Sequence, residues 1–95
     1  MKGLLLGNAI DYVRRIYKDF EEAGVIDKTR YLVKSGDHVF EIDEFYGDNE
    51  GLVMAEVELS QENESFVKPH FIGEEVTGDI RYYNSQLMKK PFKSW

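Results

Sequence analysis

Cysteine is absent from this 95-residue chain, which excludes disulfides and thiolate-held metals. The absence fits a reducing compartment. No apolar run approaches the roughly 18 residues of a membrane span. Leu4-Leu5-Leu6 is too short even for the core of a signal peptide. A cytoplasmic protein is therefore expected. Lys and Arg are missing from residues 35–67, which carry ten Asp and Glu, and the net charge is −6. That balance argues against a general nucleic-acid binder. There is no Gly-rich phosphate loop, and no Ser or Cys nucleophile stands with a supporting His. The length allows one small domain with a modest core.

Turn residues divide the chain. Asn8 can cap a helix over residues 9–23, where Ile10, Val13, Ile16, Tyr17 and Phe20 make one apolar stripe and Gly24 is a natural stop. Residues 25–33, 39–46 and 52–59 read as strands, separated by Ser35-Gly36-Asp37 and by the Gly47 to Gly51 turn. Short connections make them an antiparallel meander of three strands. Ser60 can cap a short helix ending at Lys68-Pro69-His70. Phe71 to Val76 is an irregular or helical piece, and Asp79 is placed to cap a last helix to about Met88. The fold class expected is α+β: a three-strand antiparallel meander with an N-terminal helix and C-terminal helices, in one domain over residues 1–95.

Side chains alternate along a strand. Lys28 and Arg30 share one face, as do Glu41 and Asp43, and as do Glu56 and Glu58. Glu56 and Glu58 project in parallel, about 7 Å apart along the strand. Phe40, Ile42, Val57 and Leu59 take the opposite faces. Two readings compete. An antiparallel sheet often has one face on the core and one in water, and opposite charges on neighbouring strands attract. Alternatively, two adjacent acidic strands repel unless a cation lies between them, and carboxylate pairs suit hard cations.

In order, these runs resemble the C-terminal half of the CYTH superfamily, the triphosphate tunnel metalloenzymes. The residues that carry the resemblance are Lys28 to Tyr31, Glu41 to Phe45, Ala55 to Leu59, Phe66-Val67, Gly73 to Asp79, Arg81-Tyr82 and Asn84-Ser85. The resemblance implies half of a closed antiparallel β-tunnel with charged residues pointing inward. It implies binding of a triphosphate or polyphosphate with Mg²⁺ or Mn²⁺. The activities it implies are hydrolysis of inorganic or thiamine triphosphate, or class IV adenylate cyclase chemistry. By the resemblance Lys28 and Arg30 bind phosphate, Glu56 and Glu58 hold the metal, and Asp43 with Glu41 are further acids of the catalytic site. Arg offers a planar fork for phosphate oxygens and Lys a compact charge. A metal bridges phosphate oxygens and activates water.

The family's E-x-E-x-K first strand and its R-x-R pair have no counterpart here; Arg14 and Arg15 are adjacent and lie in the expected helix. Three readings follow: a fragment of a CYTH enzyme, a small relative completed by another copy through its strand edges, or an unrelated acidic α+β interaction module. In the first two, exposed edges favour association, and the isolated chain has little or no triphosphatase activity. His38 lies on the core-side face and reads as a strand-end packing residue. His70 has no ligand pattern around it. Lys34 reads as a surface residue and Arg81 as a docking one. Gly36, Gly47, Gly51 and Gly78 read as turn glycines.

Overall fold

In the computed structural model the described residues are 2–7, 10–16, 20–23, 26–61 and 63–95. The expected meander is its centre: β3 (Lys28–Ser35), β4 (His38–Phe45) and β5 (Val53–Glu58), antiparallel throughout. Gly36 and Asp37 close the β3–β4 hairpin between the paired Ser35 and His38, and Gly36 takes a φ of 61°. A two-residue hairpin turn requires that left-handed backbone, which suits glycine. The other three predicted turn glycines also have positive φ.

Three strands were not foreseen. β1 (Lys2–Gly7), β2 (Phe20–Ala23) and β6 (Ile72–Glu75) extend the meander into a six-stranded sheet ordered β2-β3-β4-β5-β1-β6. The predicted helix over 9–23 is correspondingly shorter: α1 spans Ile10–Ile16, and β2 pairs with β3 at its far end. The Asn8 cap, Tyr17 and the Gly24 stop lie outside the described residues. The irregular or helical segment expected at 71–76 contains β6 instead, which pairs with β1. β1 fits closely against β5: a Cβ on Gly7 would lie 2.4 Å from Val53 Cγ1.

The helix expected after Ser60 does not form among the described residues. Glu64 Oε1 instead accepts the Ser60 N–H at 2.9 Å and closes a turn. Asp79 caps as expected, but it caps a 3-10 turn, Ile80–Tyr82; the helix α2 (Asn84–Lys89) follows.

Both faces of the sheet are packed. On one, Tyr31, Val33, Phe40, Ile42, Ala55, Val57 and Leu5 form the main core with Val13 of α1 and with Phe71. On the other, Phe45 and Met54 meet Leu87 of α2, Phe92, Leu4 and Leu6 at one end of the strands. This second face carries the charged residues. It is covered at the α2 end and opens toward the β3–β4 hairpin, where Leu32 and Val39 are exposed. The simple picture of one face on the core and one in water therefore holds only at the hairpin end.

Candidate functional site

The strand register brings the charged residues together. Arg30 pairs with Asp43, Glu41 pairs with Glu56, and Lys28 pairs with Phe45. All six predicted site residues thus lie on one sheet face, spread over β3, β4 and β5. Their environments differ sharply. Lys28 and Asp43 are buried, Arg30, Glu41 and Glu56 are half-buried, and Glu58 is exposed.

Lys28 is buried because the α2 end of this face is roofed. Its Nζ lies 5.2 Å from the centroid of the ring of Phe45, a member of the second core cluster. A buried ammonium needs a counter-charge. Lys28 Nζ donates to Asp43 Oδ2 at 2.9 Å. Asp43 also accepts Arg30 Nε at Oδ1, 2.8 Å, and Arg30 Nη2 at Oδ2, 3.0 Å. Arg30 Nη1 donates to Glu41 at 3.0 Å. Donation to Asp43 raises the Arg30 pKa above its already high value, and the charges of Asp43, Glu41 and Glu56 add to the effect. Arg30 is thus a permanently charged cation bonded to the two acids of β4 and within reach of the charge of Glu56 on β5. It supplies part of the cation that the adjacent acidic strands call for.

A second ion network lies on the opposite face, and its residues were not singled out from sequence. Glu44 is buried there and is bonded by Arg14 of α1. It also accepts the Tyr31 hydroxyl at 3.2 Å, and the Tyr46 hydroxyl donates to Thr29 Oγ1 at 2.8 Å. Arg14 holds the Glu44 carboxyl below its ordinary pKa. Burial, reinforced by Glu44, pushes the Tyr31 phenol up to about 12. The signal was present: Glu44 alternates with Phe40 and Ile42, and an acid on a core face requires a partner. That network pins α1 to the back of β4.

His38 behaves as a packing residue. Its Nε2 lies 2.5 Å from Glu64 Oε2 and its ring meets Phe66 edge-on. Arg81 is occupied by Asp79, 2.7 Å away, and stacks over Trp95. Lys34 is exposed on the open end of the charged face.

Glu56 and Glu58 offer oxygen donors suited to Mg²⁺ or Mn²⁺. Among the described residues no group of three or more His, Cys, Asp or Glu is gathered as a ligand set. This donor set fits Mg²⁺ in its commonest binding mode, one or two carboxylates with the remaining positions filled by waters and substrate phosphates.

Against known proteins, the chain is 54% identical over 74 residues to an inorganic triphosphatase of Acetivibrio thermocellus, covering 78% of this chain and 47% of that protein. It is 43% identical over 65 residues to an inorganic triphosphatase of Nitrosomonas europaea, covering 65% of this chain and 43% of that protein. The crystal structure of the inorganic triphosphatase NE1496 superposes with a TM-score of 0.58 at 43% identity, over 65% of this chain and 44% of that one. The chain is similar to inorganic triphosphatases. It spans about half the length of the curated relatives it matches. No family model matches it. Among the described residues no helix is long and apolar enough to cross a membrane.

Proposed function

We propose that the charged face of β3, β4 and β5 binds the phosphate chain of a triphosphate together with Mg²⁺ or Mn²⁺, as half of a CYTH-type triphosphatase site in a cytoplasmic protein. The observation that carries this reading is Arg30. Its guanidinium is oriented by Asp43 on a face shared with Lys28, Glu41, Glu56 and Glu58, in a chain similar to inorganic triphosphatases.

The division of labour follows from burial. Arg30, half-buried, reaches the phosphates. Lys28, buried behind it, adds positive potential and anchors Asp43. Glu56 and Glu58 would hold the metal. When bound, the metal neutralises phosphate oxygens and lowers the pKa of a water. Further ligands come from a second copy, or from another chain, meeting the edge strands β2 and β6. On this account the isolated chain binds triphosphate but turns it over slowly or not at all.

Calorimetric titration of the full chain with inorganic triphosphate and Mn²⁺ tests this. Saturable binding that Arg30→Ala weakens by at least about tenfold is expected, the loss of a charge-assisted bidentate contact. Absence of binding up to millimolar ligand overturns the reading. Robust phosphate release, lost in Glu56→Ala, would overturn the claim that the isolated chain is nearly inactive.

A further inference from the structure

Arg30 is held by two carboxylates that the fold treats differently. Asp43, 1% exposed, accepts two N–H groups from one edge of the guanidinium, at 2.8 and 3.0 Å, and its Oδ2 also takes Lys28 Nζ at 2.9 Å. Releasing it would strand the buried Lys28 ammonium without its counter-charge. Glu41 accepts one hydrogen bond from Arg30, at Nη1, 3.0 Å, and its side chain is 33% exposed. It can turn into water at little cost. A guanidinium has five N–H donors in a fixed fork. Asp43 uses Nε and one N–H of Nη2, and Glu41 uses one N–H of Nη1, which leaves one N–H on each terminal nitrogen. A phosphate that takes these two lies beside Glu41, whose negative charge opposes it and whose single contact can be given up, and it leaves Asp43 in place.

Resting on the triphosphate reading above, we infer that Asp43 is a positioning residue for Arg30, whereas Glu41 is a displaceable counter-ion that stands beside the phosphate's place and lowers the affinity. The two acids, two residues apart on one strand face, then act with opposite sign. Removing the Asp43 charge frees Arg30 to reorient and weakens binding. Removing the Glu41 charge takes away a competitor and a repulsion, so binding tightens. Neither role requires a proton or a metal on either carboxylate.

The test is calorimetric binding of inorganic triphosphate to the full chain with metal chelated, so that the cation–anion contact is read alone. Glu41→Gln is expected to bind about tenfold tighter than wild type and Asp43→Asn about tenfold weaker. Carboxylate carbon resonances give a second readout that a merely structural role would not move. On adding triphosphate, the Glu41 signal shifts and the Asp43 signal stays. Both measurements on Glu41 remain decisive where Asp43→Asn fails to fold. Wild-type binding that Glu41→Gln leaves unchanged or weakens overturns this inference alone. No binding by either protein overturns the triphosphate reading as well. Binding by Glu41→Gln without detectable binding by wild type supports the inference.

Discussion

Lys28 and Asp43 form an ion pair inside the protein, with Nζ 2.9 Å from Oδ2 and side chains 6% and 2% exposed. Burying two charges is costly, and what offsets the cost here is the number of hydrogen bonds on Asp43. Breaking such a pair from one side leaves an uncompensated charge. Lys28→Met is therefore expected to destabilise the fold by about 3–5 kcal/mol. Lys28→Met combined with Asp43→Leu should cost less than the sum of the two single changes. Urea unfolding of the three variants measures the coupling. Simple additivity would show that the pair carries no mutual energy.

The Arg14–Glu44 bond makes a separate prediction for acid. Its carboxyl is held below the ordinary value of 4.5 by Arg14. A depressed folded pKa means that the contribution is complete above the unfolded value and is lost as pH falls below it. Glu64 has the same sign: the hydrogen bond with His38 lowers it from 4.5 to about 2, so its share disappears across that interval. Melting temperature recorded from pH 7 to pH 2.5 should be flat near neutrality and fall below about pH 4.5. Glu44→Gln and Glu64→Gln each lower the neutral plateau and flatten the acid slope. Parallel curves for wild type and the double variant would contradict the assignment.

The unequal legibility of the chain has physical causes. β3, β4 and β5 were readable because charged and apolar residues alternate strictly between glycine turns. That alternation also placed Lys28, Arg30, Glu41, Asp43, Glu56 and Glu58 on one face. β1 was hidden because Leu4, Leu5 and Leu6 are apolar on both faces, as a strand packed on two sides requires. β2 was hidden because Phe20 continues the helical spacing of Ile10, Val13 and Ile16. β6 has four residues, and its pairing with β1 spans most of the chain. Periodicity also assigns a face without its covering. It could not tell that Lys28 would be buried while Glu58 stays exposed, nor that Arg30 would be bonded to Asp43.

The unforeseen β1 can be tested through its tightest contact. A Cβ at Gly7 would meet Val53 Cγ1 at 2.4 Å and Val53 Cβ at 3.2 Å. The next strand must then shift, at a cost of about 1–3 kcal/mol. Gly7→Ala should lower stability by that order, and Val53→Ala in the same chain should recover part of it by removing the offending methyl. Denaturant unfolding of the single and double variants reads this directly. A neutral Gly7→Ala would mean that β1 does not lie against β5 as described.

Glu56 and Glu58 give the last prediction, on metal. Two carboxylates on one strand bind Mg²⁺ or Mn²⁺ weakly by themselves, because the ion retains most of its water. A phosphate chain held by Arg30 supplies the missing oxygens. Metal and triphosphate should therefore stabilise the fold cooperatively, since each raises the other's affinity by the same factor. In thermal melts, Mn²⁺ alone should leave the midpoint almost unchanged and triphosphate alone should raise it slightly. The two together should raise it by more than the sum, and a chelator should remove the excess. Glu56→Gln is expected to abolish the excess while keeping the shift from triphosphate alone, because Arg30 and Asp43 remain. If Glu56→Gln instead removed both shifts, the carboxylate would be acting through Arg30, whose pKa it helps to raise, and the metal would have to be held elsewhere.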